Sequence, residues 1–207
     1  MPVHLVDHPL VHDALLELRD TSTSSSAFRR AATRITTLLA AEAMRDVPSV
    51  PATVTTPLGP AAGRRVSGDV VVVPVLRAGL GMLDAILMLA PQARVGHIGL
   101  QRDEATAVAS QYYAKFPATL ESSFVLMIDP MLATGGSAVA ALDLLFRAGA
   151  RRVHVVCIVA APEGIAALEQ RYPNVHIFTP VVDKGLNDHK FIVPGLGDFG
   201  DRLYGTA

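Results

Sequence analysis

Phe124-Val125-Leu126-Met127-Ile128-Asp129-Pro130-Met131-Leu132-Ala133-Thr134-Gly135-Gly136-Ser137-Ala138-Val139-Ala140-Ala141 is the stretch on which the reading of the fold turns. Its first five residues form an apolar run that predicts a buried strand, Asp129 ends that strand, and Ser137 opens a helical pattern. A strand passing through a short loop into a helix is half of a βαβ unit. The pattern recurs on both sides. Strand-like apolar runs at 70–75, 95–100, 124–128, 153–159 and 175–179 alternate with helix-like segments at 80–89, 136–148 and 163–172. Most of these runs are almost continuously apolar and β-branched, as expected of parallel strands covered by helices on both faces. Ligands of such sheets bind beyond the carboxyl ends of the strands, so each loop is read from that edge.

The first fifty residues look helical, with Leu10, Ala14, Leu15 and Leu18 on one stripe and Phe28, Ile35, Leu38 and Leu39 on another. The Thr/Ser run at 22–26 is biased in composition, and it also supplies the hydroxyls an N-cap needs. From 48 to 68 the helical pattern fails. Pro48, Pro51, Pro57 and Pro60 among Val and Thr residues predict an extended or hairpin segment at a sheet edge. With 207 residues, 50% of them hydrophobic and 18% charged, one domain over 1–207 is expected.

Eighteen Lys and Arg stand against nineteen Asp and Glu. No strong net field gathers polyanions, so phosphate recognition has to be local. The single Cys157 lies in an apolar run and reads as a buried, inert thiol. The N-terminal residues do not read as a signal peptide, and the apolar runs fall short of the roughly 18 residues a membrane span requires. A soluble cytoplasmic protein is expected.

Thr134, Gly135, Gly136 and Ser137 present backbone N–H groups at a helix N-terminus, where unpaired donors and the positive end of the dipole favour phosphate. The glycines let the backbone come close, the two hydroxyls add donors, and Asp129 offers an acceptor for ribose hydroxyls. On these residues alone an ordinary Gly-rich turn stays open beside a sugar-phosphate cradle. No Lys precedes Ser137, so this is not the triphosphate loop of a P-loop enzyme.

The loop from Asp129 through Pro130, Met131, Leu132, Ala133, Thr134, Gly135 and Gly136 to Ser137 resembles the phosphoribosyl-pyrophosphate (PRPP) motif of type I phosphoribosyltransferases. It is closest to the uracil phosphoribosyltransferase version. His8-Pro9-Leu10-Val11, Val75-Leu76-Arg77-Ala78-Gly79-Leu80-Gly81-Met82, Val159-Ala160-Ala161-Pro162-Glu163-Gly164 and Val193-Pro194-Gly195-Leu196-Gly197-Asp198 resemble that family in the same order, which covers nearly the whole chain. The resemblance implies an α/β fold of the type I phosphoribosyltransferase kind: a parallel sheet with helices on both faces, an N-terminal helical region and a flexible hood.

It further implies transfer of the phosphoribosyl group of PRPP to uracil, giving UMP and pyrophosphate, in pyrimidine salvage. Residues 129–137 would hold the ribose 5-phosphate. Arg77, following the strand at 70–75, supplies a fork of donors for pyrophosphate, and the turn from 77 to 81 is implied to be the pyrophosphate loop. Arg102 introduces a hood at about 102–117, whose closure would exclude water from a reactive sugar cation. Where relatives often carry Pro-x-Pro-Tyr, this hood has Ala109-Ser110-Gln111-Tyr112.

The segment from Gly195 to Gly200 spells G-x-G-x-x-G. With only seven residues following, it has no room for the further strand of a dinucleotide fold. The resemblance makes it part of a uracil-binding segment at about 183–207, with Ile192, Gly197, Asp198 and Phe199 meeting the base. Many relatives have a small residue in place of Phe199 and Tyr in place of Phe191, so these side chains are expected to alter pocket volume and polarity. Asp198 either orients magnesium-bound water and ribose or assists proton loss from uracil.

Mg2+ is the implied cofactor, held mainly by PRPP, because Ile128 precedes a lone Asp129 where many PRPP motifs carry two acids. GTP is implied as a candidate allosteric activator and the chain as a homo-oligomer, dimer or tetramer. His4, His8 and His12 recur every four residues, but Pro9 spoils their alignment as metal ligands. Asp183, Asp188 and His189 read as a solvated loop bordering the site. The alternatives are another base as acceptor, or an RNA-binding pyrimidine regulator on the same fold. The Arg29, Arg30 and Arg34 cluster lacks the interleaved aromatics of a nucleic-acid surface, so neither nucleic acid nor membrane is an expected partner.

Overall fold

The computed structural model describes residues 2–102 and 109–206, with the side chains of Arg102 and Ala109 outside the description. The strand read at 124–128 is Phe124–Ile128, and it lies near the middle of an eight-stranded sheet. In chain order the strands are β1 (Val3–Leu5), β2 (Ser49–Thr56), β3 (Gly59–Val66), β4 (Val70–Leu76), β5 (Arg94–Val95), β6 (His97–Arg102), β7 (Ala109–Lys115), β8 (Phe124–Ile128), β9 (Met131–Leu132), β10 (Arg152–Val156), β11 (Val159–Ala160), β12 (His176–Thr179), β13 (Gly185–Leu186) and β14 (Ile192–Val193). The helices are α1 (Pro9–Arg19), α2 (Ser25–Ala43), α3 (Leu80–Leu89), α4 (Gly136–Arg147), α5 (Pro162–Arg171) and α6 (Phe199–Tyr204). The main sheet runs β1-β12-β10-β8-β4-β6-β7, with β5 also on β4. Its pairings are parallel except for the antiparallel β6 and β7.

Alternation along the buried strands divides two cores. Val72, Leu126, Ile128 and Val156 face α1, α2, α3 and α6 through Val11, Phe28, Ile35, Ile86 and Phe199. Val71, Val73, Val125 and Met127 face α4 and α5 through Leu142, Leu145 and Leu168. A strand buried on both faces has no polar side to show, which is why these runs carry no period-two signal.

Four expectations need correction. Val3–Leu5, read with the helical N-terminal region, is an edge strand beside β12. The segment read at a sheet edge folds into a separate β2–β3 hairpin paired only to itself. The run at 153–159 breaks at Cys157 and Ile158, and β11 leaves the main sheet to pair with β9 in the loop after β8. Part of the hood is strand, since 109–115 returns along β6, and Tyr112 lies against Gly99, where a Cβ would meet its ring at 2.5 Å.

The Thr/Ser run does cap a helix. The Ser24 hydroxyl accepts from the Ala27 N–H at the start of α2. Cys157 is fully buried, and burial pushes its thiol up to about 12, as befits an inert side chain.

Candidate active site

The chain leaves β8 at Asp129, whose carboxylate accepts from the Met131 N–H at 3.3 Å. It then turns through Gly135 at φ 81, a left-handed conformation suited to glycine, into α4. The Gly136 N–H reaches the Thr134 hydroxyl at 3.4 Å, a contact long enough to yield to a phosphate oxygen. Asp129, Met131, Leu132, Ala133, Gly135 and Ser137 line a small cavity of about 30 Å³. The buried Pro130 holds the base of the loop, its carbonyl accepting from the N–H groups of Ile158 and Val159.

The loop is braced from behind. A Cβ on Gly164 of α5 would sit 2.6 Å from the Ala133 carbonyl oxygen, and one on Gly135 would sit 2.7 Å from the Ala167 Cβ. The Pro162-Glu163-Gly164 motif therefore lets α5 approach the loop between β8 and α4 backbone to backbone.

The turn after β4 carries Arg77, which is exposed, and the Leu76–Arg77 peptide is cis. Gly79 packs so closely that a Cβ would meet the Ile128 carbonyl oxygen at 2.6 Å. The turn of Arg77 and the loop of Asp129 thus stand side by side at the carboxyl ends of two neighbouring strands. The next strand outward, β6, ends at Arg102, whose side chain lies outside the described residues together with 103–108.

The C-terminal segment closes over the same edge. The Tyr204 hydroxyl donates to the Arg77 carbonyl at 3.3 Å, and a Cβ on Gly81 would collide with Leu203 at 2.5 Å. Ile192 is buried in β14, opposite Leu186 of β13. The chain then passes the cis Val193–Pro194 peptide and positive φ at Gly195 and Gly197 to reach Asp198. The Asp198 carboxylate caps α6, accepting from the Asp201 N–H at 2.9 Å.

Two readings of side chains change here. Phe199 is 1% exposed and its ring meets Phe28 edge-on at 5.1 Å, so the ring belongs to the core rather than to a pocket wall. Asp183, read as part of a solvated loop, is buried, while Asp188 and His189 are exposed. Its carboxylate takes the Arg19 guanidinium at 2.7 Å and the Gly195 N–H at 2.9 Å. Arg19 also donates to the Gly195 carbonyl at 3.2 Å.

Glu163 adds a second brace, accepting from the Leu186 N–H at 3.0 Å. Sequence reading missed Arg19, Glu163 and Tyr204 as parts of the site. The available signals were a basic residue ending an apolar helical stripe and an acidic one directly after the α5 proline, and neither specifies a partner.

The three spaced histidines do not converge on a site. His8 caps α1 by accepting from the Leu10 N–H, His12 lies 2.7 Å from Asp7, and His4 meets His176. Two arginines of the basic cluster are also engaged: Arg29 donates to the Leu203 carbonyl, and Arg34 pairs with Asp13 and Glu17.

A solved adenine phosphoribosyl transferase from Trypanosoma brucei, in complex with AMP, pyrophosphate and ribose-5-phosphate, has this fold with a TM-score of 0.59 at 16% identity, over 93% of this chain and 85% of that one. The fold and the loops at its ligand edge define a type I phosphoribosyltransferase. Within that class, the family model for uracil phosphoribosyltransferase matches residues 5–206, and the chain belongs to that family. It is 48% identical over 205 residues to the uracil phosphoribosyltransferase of Dictyoglomus turgidum, covering 99% of each chain. A solved structure from Aquifex aeolicus matches with a TM-score of 0.94 at 36% identity, again over 99% of each chain.

Proposed function

We propose that the chain transfers the phosphoribosyl group of PRPP to uracil, releasing pyrophosphate and giving UMP. The observation that carries this reading is the packing of the Arg77 turn against the Asp129 loop, with Tyr204 of the C-terminal segment bonded to Arg77. Those three segments are the ones that need to meet if pyrophosphate, ribose phosphate and base are to share one site.

The difficult moment is charge separation at the anomeric carbon. The bond from C1′ to the pyrophosphate oxygen breaks and its electron pair leaves with pyrophosphate. The bond from uracil N1 to C1′ forms, and the N1 proton is released. First-turn amides of α4, with the Thr134 and Ser137 hydroxyls, hold the 5-phosphate, and Asp129 orients the ribose hydroxyls. Arg77 places positive charge where the leaving group becomes more negative, and Arg102 on the hood is assigned the same task. Backbone groups at Ile192 and from Gly197 to Phe199 are assigned to the base edge, so that cytosine would leave buried polar groups unpaired. The Asp198 carboxylate, which caps α6, is assigned to orienting ribose and water or to taking up the N1 proton.

Magnesium bound to PRPP would supply charge neutralisation at the pyrophosphate. The residues present fit it, since the phosphate loop offers one carboxylate, Asp129, and leaves the remaining coordination to substrate oxygens and water. GTP activation, a dimer or tetramer and a cytoplasmic location belong to the same reading through the family. Among the described residues, no helix is long and apolar enough to cross a membrane.

The test is incubation of purified protein with radiolabelled uracil, PRPP and Mg2+, with and without GTP, followed by separation of nucleotides. UMP is expected, and a panel with cytosine, hypoxanthine and adenine should give little product. Absence of UMP, or a better rate with another base, would overturn the assignment.

A further inference from the structure

We propose that Asp46, His154 and His176 form a binding site for a divalent transition metal of the zinc class, at the edge of the sheet opposite the substrate loops. β10 and β12 run parallel with His154 and His176 as direct partners, so both side chains leave the same face. Their rings stand parallel, 4.9 Å apart at the centroids. The turn after α2 brings Asp46 to them and is tied to β10 by the Arg152 guanidinium, which donates to the Asp46 carbonyl at 2.8 Å.

One ligand atom from each of the three residues lies within 4.8 Å of the others. They border a cavity of about 470 Å³ that also touches the residues leading into β10 and β12, hence the amino ends of those strands. Metal–ligand bonds near 2.0–2.2 Å put tetrahedral ligands roughly 3.5 Å apart, so the three groups have to close by about 1 Å and the two rings have to tilt out of their parallel stack for their lone pairs to converge. The Asp46 side chain is exposed, and the cavity has room for the waters that complete the coordination.

The surrounding hydrogen bonds already set which ring nitrogens are available. His154 Nδ1 lies 2.9 Å from the Ala43 carbonyl. A carbonyl only accepts, so Nδ1 carries the proton and Nε2 keeps its lone pair for a metal. His176 Nδ1 faces His4 Nε2 at 3.0 Å, and donation to His4 leaves the other His176 nitrogen as ligand.

Three arginines also border the cavity, but they are engaged. Arg151 pairs with Glu121 at 2.6 Å, Arg171 with Asp143 at 3.0 Å, and Arg152 lies over the Phe124 ring. Two imidazoles and one carboxylate with an open position suit zinc, whereas magnesium prefers an all-oxygen set.

The experiment uses tag-free full-length protein stripped with chelator, titrated with Co2+ and then Zn2+. The expected result is one Co2+ per chain with a visible ligand-field band that Zn2+ displaces. His176→Asn and Asp46→Asn should each weaken Zn2+ at least about tenfold. His12→Asn should leave it unchanged, and UMP formation should be unaffected in all three. Because Asp46 is exposed, its variant reports even if His176→Asn disturbs folding. A wild-type titration without a band, or Zn2+ affinity unchanged in Asp46→Asn, would overturn the proposal.

Discussion

Arg19 and Asp183, 164 residues apart in the chain, meet at 2.7 Å in an ion pair that grips both the N–H and the carbonyl of Gly195. The Asp183 side chain is 5% exposed and that of Arg19 21%, so neither can be removed without leaving its partner poorly solvated. Arg19→Met is expected to cost about 3 kcal/mol or more of stability. It should also raise KM for uracil more than KM for PRPP, because Gly195 leads into the segment proposed to bind the base. Urea melts and two-substrate kinetics measure both, and an unchanged uracil KM would remove Asp183 from the site.

Arg77→Ala and Asp129→Asn should lower kcat by about 10²-fold or more while leaving the fold intact. Both side chains stand at the ligand edge rather than in the core, so far-UV circular dichroism and the melting temperature should change little. Wild-type turnover in either variant would contradict the roles assigned.

Phe199→Ala should act on stability, with a loss of about 3–5 kcal/mol. The ring is buried against Phe28, and no part of it is presented to solvent as a pocket wall would be. Corrected for the folded fraction, the rate ratio of uracil to 5-substituted uracils should stay near the wild-type value. A large change in that ratio would return the ring to the pocket.

A smaller substitution probes the contact between the Arg77 turn and the Asp129 loop. Gly79→Ala places a Cβ 2.6 Å from the Ile128 carbonyl oxygen, a backbone atom that cannot swing away. The expected cost is about 1–3 kcal/mol, with a fall in kcat as the Arg77 turn is pushed off the Asp129 loop. Gly63→Ala, which meets nothing within 4 Å, is the control.

Stability should fall on mild acidification. Burial lowers the pKa of His154 and His176 from 6.5, so the folded rings are neutral where unfolded ones begin to take protons. Their contribution is complete above the unfolded value and declines as pH falls through it, until the folded rings protonate too. Asp46 opposes the shift on both rings, while Arg152 reinforces it. The urea midpoint should therefore be lower at about pH 5.5 than at about pH 7.5, and His176→Asn should flatten the difference. A midpoint that rises on acidification would contradict this.

The sequence by itself determined the βαβ order, the strand at 124–128, the loop from Asp129 to Ser137 and the position of Arg77 after its strand. These are local matters. Apolar runs, glycines that accept positive φ and hydroxyls at a helix start act over a few residues, and each leaves its mark where it acts. Only the tertiary structure decided that Phe199 turns into the core, that Asp183 is gripped by Arg19, and that Glu163 braces β13 behind the Asp129 loop. It also decided that Val3–Leu5 joins the sheet and that β11 leaves it for β9. Such pairings set elements far apart in the chain against one another. A single acidic or aromatic residue carries no record of which distant group will satisfy or cover it, because that choice is made by packing the whole sheet and its helices at once.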